Sequence, residues 1–345
     1  GIDAVIWTDV LQTVILLLGG IICLWVILDA LPGGLNQVFE QAGNAGKFAL
    51  APWENGAPGD TSWSFSLSEK TATMMLLIGL TNWLTEYSSN QNTVQRYCAS
   101  QSTAEARKGL WVYLFTALPI WAFYMFLGTA LWVFFQVYPD VQAGAILSGE
   151  ARAETLMPYF ITNYLPAGVA GLVIAAALAA AMSSLDSSIN SVTTVSVVDL
   201  YRRHFHPGQN DRHYLKVAWG IAVVVTGLMI AGALWLNQAD TKTLQDTSTI
   251  LVSLLGGGML GLYLLGFFSN RGDARAAWCG IACTLVFTGW TILTNKGMLP
   301  ETLSAPFDLS YPGLIGNLLM FVVGYLAASY WPADKPSALS AGAED

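Results

Sequence analysis

Long apolar stretches recur along the whole chain, and they constrain its fold more than any other feature of the sequence. Of the 345 residues, 54% are hydrophobic and only 11% are charged, whereas about a quarter of the residues in soluble domains are charged. Because a helix needs about 20 apolar residues to cross a bilayer, the pattern predicts an all-α, polytopic membrane protein. The predicted spans are residues 4–29, 71–95, 109–137, 167–200, 214–236, 247–268, 276–294 and 311–331.

The connections between these spans differ in length and in charge. Residues 30–70 and 138–166 form long connections that are expected to carry short surface helices. Of the 15 Lys and Arg residues, ten lie in one alternating set of connections and five in the other. Because Lys and Arg concentrate on the cytoplasmic side, this bias predicts a multi-pass protein of the cell (inner) membrane with a cytoplasmic C-terminus. Gln95-Arg96 and Tyr201-Arg202-Arg203 are expected only to set this topology.

The two ends of the sequence differ in character. Residues 1–331 are expected to form one transmembrane domain, and residues 332–345 form a small, polar tail that is expected to be cytoplasmic and disordered. The chain begins at Gly1 rather than at Met, and an apolar helix follows almost at once. It is therefore expected to be part of a longer protein.

Charge and cysteine content argue against several classes of function. The net charge is −8 and the sequence has no basic run, so a nucleic-acid partner is not expected. The four cysteines lack the paired spacing and the accompanying histidines of metal or disulfide sites. No nucleotide-binding loop is visible, and neither an enzyme nor an organic cofactor is expected.

The segment from Ala175 to Ser191 carries the most informative polar pattern. At 100° per residue along a helix, its small and hydroxyl-bearing side chains share one narrow stripe, with Asn190 and Asp186 at the edge. Sodium, like other hard cations, prefers oxygen ligands, so the stripe indicates a low-charge cation site. The alternative is that the serines pack helices or bond back to their own carbonyls. The stripe consists of Ala180, Ser183, Ser184, Ser187 and Ser191.

Asp9 is the second candidate. It lies near one end of the first predicted span, in the sequence Trp7-Thr-Asp9-Val-Leu-Gln12. An aspartate inside a membrane segment suggests a functional site. A carboxylate at the start of a helix, stabilised by the helix dipole at the membrane surface, is an equally good interpretation of the composition.

Three ordered motifs give the chain a specific family resemblance. They are Trp7 to Gln12, Asn90-Gln-Asn-Thr-Val-Gln95-Arg96, and Met182 to Ser191 followed by Asp199-Leu-Tyr201. Together they resemble the sodium:solute symporter family, whose fold is similar to that of the leucine transporter, with two inverted five-helix repeats. On that resemblance the spans correspond to core helices 5–10 plus two peripheral helices. Core helices one to four, which the family's sites also use, are then expected in missing N-terminal helices of the same protein.

The resemblance implies two places for co-transported Na⁺. Ala180, Ser183 and Ser184 match the helix-eight half of the main sodium site, which carbonyls of helix one would complete. Asp9 matches an aspartate that in some members joins helix-eight hydroxyls in a second site. In this chain the residues at the positions of those hydroxyls are Ser183, Asp186 and Ser187. Many members have Ser or Thr where this chain has Asp186, so two carboxylates are expected to face each other, and proton coupling through Asp9 and Asp186 stays an alternative.

The resemblance also implies where the solute binds. The span 71–95 is similar to the broken helix six, which lines the substrate cavity near the bilayer midplane. Its candidates for contact with the solute are Asn82, Trp83, Glu86, Tyr87, Asn90 and Gln91. Some of them are equally expected to cap helix halves. In the tenth core helix, Thr249 and Ser253 are candidates, and the triplet from Gly256 to Gly258 indicates a flexing point or close packing.

The function expected from these residues is sodium-coupled secondary active symport of a small organic solute across the cytoplasmic membrane by alternating access. The partners are then the solute and the lipid bilayer. Phe115 stands where sugar-transporting relatives have a lysine, which makes a hexose less expected. A transporter-like membrane sensor is the main alternative. An intramembrane aspartyl protease fits poorly because its GxGD motif is missing, and nothing suggests the continuous pore of a channel.

Overall fold

The computed structural model describes residues 2–49, 53–54, 57–237, 248, 251–252, 256–269, 274–295, 297–308 and 310–330. Within these ranges the chain is helical, apart from irregular connections and a short antiparallel hairpin of β1 (Trp53–Glu54) and β2 (Ala57–Pro58). In the described part of the chain the α-helices are, in order, α1 (Ile2–Ala30), α2 (Gly34–Asn44), α3 (Ala72–Ser89), α4 (Gln91–Cys98), α5 (Thr103–Val137), α6 (Val141–Leu147), α7 (Leu156–Tyr164), α8 (Ala167–Thr194), α9 (Asp211–Asn237), α10 (Met259–Phe268), α11 (Ala274–Asn295) and α12 (Pro312–Tyr330).

The lengths of these helices confirm the membrane prediction. Among the described residues, six helical segments are long and apolar enough to cross a bilayer. Helix α8 continues without interruption into a π-helical segment, Val195–Phe205. The combined helical segment, Ala167–Phe205, is therefore longer than the predicted span 167–200. The six segments are Ile6–Ala30, Thr103–Val137, Ala167–Phe205, Asp211–Leu236, Ala274–Asn295 and Pro312–Tyr330.

The other two predicted spans differ from single continuous helices. Residues 71–95 divide into α3 and α4, because Asn90 takes an extended conformation (φ −74°, ψ 123°). The side chain of Asn90 stabilises this break, since its Oδ1 accepts a hydrogen bond from the backbone N–H of Asn92 at 3.0 Å. For the predicted span 247–268, the structure describes α10 and a few residues before it, and the remainder lies outside the described residues.

The two long connections carry the expected short helices. Helix α2 lies in the first connection, and α6 and α7 lie in the second. Asp140 caps α6 by accepting hydrogen bonds from the backbone N–H groups of Ala143 and Gln142, and the Tyr159 hydroxyl also donates to it at 2.9 Å. These bonds favour the ionised carboxylate and lower the pKa of Asp140, with the Ala143 N–H contributing most.

The chain divides into two compact units, and the division falls within α4. The first unit comprises residues 1–48 and 95–243. Small residues bring its long helices together: a Cβ built on Gly20 would lie 2.8 Å from the Phe123 ring, and one built on Gly19 would lie 3.4 Å from the Ala176 Cβ. In addition, the Tyr124 hydroxyl donates to the Leu16 carbonyl at 3.0 Å. Helix α1 therefore packs against both α5 and α8.

The second unit comprises residues 49–94 and 244–345. Its helices α10 and α11 both pack against α12, which carries the buried residue Asn317, 7% exposed. The Asn317 Oδ1 atom accepts hydrogen bonds from the backbone N–H groups of Gly258 and Gly261, both at 3.1 Å. Gly258 has φ +100°, a left-handed conformation that suits glycine. The glycine triplet therefore lies at a closely packed helix start in the described part of this unit.

Candidate cation site

Asp9 and Ser183 meet where α1 packs against α8 in the first unit. The Ser183 hydroxyl donates a hydrogen bond to Asp9 Oδ1, although the two residues are 174 positions apart. The side chain of Asp9 is only 15% exposed. Thr13, one turn further along α1, donates its hydroxyl to the Asp9 carbonyl at 2.8 Å. The structure thus places a mostly buried carboxylate against the hydroxyl stripe of α8.

Arg96 completes this arrangement, and the expectation that it only sets topology is wrong. Its Nη2 atom lies 2.6 Å from Asp9 Oδ2, which makes a charge-assisted hydrogen bond. The same nitrogen lies 3.4 Å from the Ser187 hydroxyl. A buried carboxylate is costly without a partner of opposite charge, and α4 provides that partner. The sequence did contain a sign of this role, because Arg96 is the only charged residue in the motif from Asn90 to Arg96.

A second polar contact joins α4 to α8 close by in sequence. The Asn190 amide donates from Nδ2 to Gln95 Oε1 at 3.2 Å. Asn190 lies close to one turn beyond Ser187 on α8, and Gln95 directly precedes Arg96 on α4. Helix α4 is therefore held to α8 by neighbouring side chains, one of which also contacts Asp9.

Gln12 is a polar residue of this region that sequence reasoning did not single out as a ligand. Its Oε1 atom is buried and has no hydrogen-bond partner among the described residues. Gln12 lies on α1 three positions after Asp9, so the two side chains share a helix face. A buried acceptor without a donor is unusual in proteins, and it adds an available oxygen to the polar side of α1.

The remaining residues of the predicted sodium sites are placed differently. Ala180 is half-buried, whereas Ser184 and Asp186 are exposed. The structure pairs Asp9 with Arg96, and Asp186 makes no hydrogen bond or ion pair with any residue that the structure describes. The expected pairing of two facing carboxylates is therefore not observed, because Asp186 projects from the exposed side of α8. Of the predicted second site, Asp9 and Ser187 contact the Arg96 guanidinium, and Ser183 bonds to Asp9.

Two of the substrate candidates in the second unit have structural partners. Glu86 Oε2 accepts a hydrogen bond from Asn90 Nδ2 at 2.7 Å, and Glu86 Oε1 accepts one from the Thr93 hydroxyl at 2.9 Å. Both bonds bridge the break between α3 and α4. This geometry matches the alternative interpretation, in which Glu86 and Asn90 stabilise the ends of the two helices.

The other substrate candidates include an aromatic pair. The rings of Trp83 and Tyr87 stack one turn apart on α3, with centroids 5.5 Å apart. Trp83 is 36% exposed, and Asn82 and Gln91 are half-buried. Such a pair offers a flat apolar face with polar neighbours. Thr249 and Ser253 lie outside the described residues.

The chemistry of the Asp9 cluster suits a monovalent cation. Oxygen ligands of one carboxylate and neutral hydroxyls bind a hard cation without a large excess of negative charge. In the part of the chain that the structure describes, no three His, Cys, Asp or Glu side chains form a group that could hold a metal ion. Membrane-length helices around such a cluster define a multi-pass membrane protein with a polar site between its helices.

The comparisons with known proteins agree with this class. The model of the sodium:solute symporter family matches residues 1–283. The chain belongs to the sodium:solute symporter family, whose members are transporters rather than enzymes. This membership confirms the resemblance seen in the sequence motifs.

Individual relatives include sialic acid symporters. The chain is 29% identical to the sodium/sialic acid symporter SiaT of Proteus mirabilis over 98% of its length and 64% of that protein's. It is 28% identical to the sodium/sialic acid symporter NanT of Aliivibrio fischeri over 95% and 60% of the two lengths. The sodium/glucose cotransporter of Vibrio parahaemolyticus is 29% identical over 83% of this chain and 53% of its own length.

A solved structure shows the same fold. It is the substrate-bound outward-open state of a Na⁺-coupled sialic acid symporter, which reveals a novel Na⁺-site in that protein. The TM-score is 0.78 at 27% identity, and the match covers 98% of this chain and 65% of the other. The all-α polytopic transporter fold expected from the sequence is confirmed. The chain spans less than two thirds of the length of these sialic acid symporters.

Proposed function

We propose that the protein carries out sodium-coupled secondary active symport of a small organic solute across the cell membrane. The observation that carries the proposal is the contact between Ser183 and Asp9, which puts a carboxylate of α1 against the hydroxyl stripe of α8. Membership of the sodium:solute symporter family supports the same function. In this proposal the inward movement of Na⁺ down its gradient drives the solute, through exchange between outward-open and inward-open states.

Two places for Na⁺ follow from the residues. Asp9, Ser183 and Ser187 form one site in the first unit, with Asp186 at its exposed edge. Ala180, Ser183 and Ser184 form half of another, and its remaining ligands would come from outside the described residues. Ser183 belongs to both sets, so it is the most informative residue to change.

For the solute we propose a small acid of the sialic acid type. The support is that the two sialic acid symporters match 98% and 95% of the chain. The stacked rings of Trp83 and Tyr87 offer a surface for the ring of a sugar acid. Asn82 and Gln91 lie close in sequence to these rings and supply amide groups for its hydroxyls.

Uptake into proteoliposomes tests the proposal. Labelled N-acetylneuraminic acid, glucose and a short monocarboxylate are offered under an inward gradient of Na⁺, and separately under an inward proton gradient in choline. We expect concentrative uptake of the sialic acid that requires the Na⁺ gradient. Uptake driven by protons without Na⁺ would instead support the proton-coupled alternative, and no gradient-driven uptake of any solute would contradict symport.

The Ser183→Ala variant tests the ion site in the same assay. Loss of a hydroxyl that bonds a charged partner should weaken apparent Na⁺ affinity by about tenfold or more, and uptake at low Na⁺ should be lost. Ser188→Ala is the matched control, because Ser188 lies on the same helix outside the stripe. Equal Na⁺ dependence in the two variants would remove Ser183 from the site.

A further inference from the structure

Arg96 occupies the position that a cation would take at Asp9. One carboxylate oxygen of Asp9 accepts from the Ser183 hydroxyl, and the other accepts from Arg96 Nη2 at 2.6 Å. The same guanidinium nitrogen reaches the Ser187 hydroxyl at 3.4 Å. A positive group carried by the chain itself therefore lies among the oxygens proposed to hold Na⁺.

Electrostatics make the guanidinium and Na⁺ competitors. The arginine side chain stays protonated in proteins and cannot accept a hydrogen bond, so it cannot become a ligand of the ion. With both cations at one mostly buried carboxylate, the guanidinium and Na⁺ would repel each other at close range, and this repulsion is strong where the dielectric constant is low. Entry of Na⁺ at Asp9 therefore requires Arg96 to withdraw.

Three features of the contact favour withdrawal. The side chain of Arg96 is 47% exposed, whereas that of Asp9 is 15% exposed. The described contact with Asp9 uses the single nitrogen Nη2 rather than the two-pronged geometry that makes the strongest arginine–carboxylate pairs. Helix α4 is also short, with eight residues between the extended Asn90 and the turn after Cys98.

We propose that Arg96 is a tethered counter-cation that exchanges with Na⁺ at Asp9, so that α4 is tied to α1 when the site lacks the ion and loses this tie when Na⁺ binds. This inference rests on the proposed function, since it concerns the same cation site. It assigns Arg96 a part in coupling ion binding to solute binding, because the substrate candidate Gln91 lies at the start of the same helix, α4. Ion occupancy at Asp9 would then change the freedom of a helix that carries a solute contact.

Substrate-free Na⁺ binding tests the exchange without depending on transport. The purified protein is titrated with NaCl against choline chloride at constant ionic strength, and thermal stabilisation is recorded, since a ligand that binds the folded state raises its stability. Removing the competing charge in Arg96→Gln should lower the half-saturating Na⁺ concentration by about two- to fivefold, the range expected for a partly exposed ion pair. Arg96→Lys, which retains a cation, should stay close to wild type.

Three controls separate the possible outcomes. Arg203→Gln makes the same charge change at an exposed position and should leave the midpoint unchanged. In the Asp9→Asn background, Arg96→Gln should give no gain, because the competition acts through that carboxylate. If wild type shows no Na⁺-dependent stabilisation, the proposed sodium function fails; if wild type responds but Arg96→Gln has an equal or higher midpoint, only the exchange fails.

Hydrogen exchange of α4 provides a second readout that does not require Arg96→Gln to be stable. In the wild-type protein, Na⁺ should speed amide exchange over residues 91–98, because the helix loses its tie to α1. In Arg96→Lys the same acceleration is expected. Protection of α4 by Na⁺ in the wild-type protein would overturn the proposal.

Discussion

Asp9 shows how much of the local chemistry depends on one side chain. Its carboxylate bonds to a hydroxyl of α8 and to a guanidinium of α4, and its main-chain oxygen accepts from Thr13. Three helices therefore meet at a residue whose side chain is 15% exposed. A carboxylate as buried as that of Asp9 is costly without a cationic partner, and Arg96, although 47% exposed, supplies one.

Asp9→Asn tests whether this carboxylate sets the number of Na⁺ ions transported with each solute molecule. The amide preserves the shape of the side chain but removes the negative charge, so we expect one fewer Na⁺ per solute and weaker apparent Na⁺ affinity, with solute uptake still present. Parallel uptake of radioactive sodium and labelled solute measures the ratio. Asp199→Asn, at an exposed position of the π-helical segment, is the control. An unchanged ratio and an unchanged affinity in Asp9→Asn would exclude the second sodium site.

At the scale of the helices, side chains stabilise a break between two helices and the start of a third. The break between α3 and α4 is stabilised by side chains that bridge it, Glu86 with Asn90 and Thr93. In α10 the start of the helix is stabilised by Asn317 of α12. In both cases side chains satisfy backbone or polar groups that a membrane would otherwise leave without partners.

Gly261→Ala tests the packing of α10 against α12. A Cβ built on Gly261 would overlap the backbone oxygen of Asn317 and would lie 2.9 Å from the Met320 Cβ, so the backbones must move apart. We expect a loss of about 1–3 kcal/mol, which is typical of overpacking, seen as a lower unfolding temperature in detergent. Gly266→Ala is the matched control on the same helix, because a Cβ built there has no atom of another described segment within 4 Å. Equal stability of the two variants would contradict close packing at Gly261.

For the whole molecule, the charges of the connections predict which face of the membrane each connection meets. The connection around residues 206–210 is flanked by Arg202, Arg203, Arg212 and Lys216, and the positive-inside rule puts it in the cytoplasm. The connection that contains α6 and α7 has a single basic residue, Arg152. The same alternation predicts a cytoplasmic C-terminus.

Cysteine labelling in intact cells tests this orientation. Ser148→Cys and Gln209→Cys both introduce a thiol at an exposed position of a connection, in a background where the exposed Cys98 is replaced by Ser. A membrane-impermeant maleimide should label position 148 from outside, and position 209 only after the membrane is permeabilised. The reverse pattern would invert the assigned topology.

The sequence by itself determined the class of fold and half of the candidate site. Apolar length predicts membrane helices because the thickness of a bilayer is fixed, and helical periodicity aligns Ser183 with Ser187 because neighbouring turns follow a regular geometry. The motifs likewise led to the right family. All these features depend on residues that are close together in the chain.

Only the tertiary structure decided which partners these residues have. Arg96 pairs with a carboxylate 87 positions away, and Asp186, which the sequence set opposite Asp9, is exposed instead. Asn317 likewise bonds to backbone groups of Gly258 and Gly261, more than 50 positions earlier. Such contacts depend on how helices pack and rotate against one another, and side-chain periodicity within a single helix does not specify that geometry.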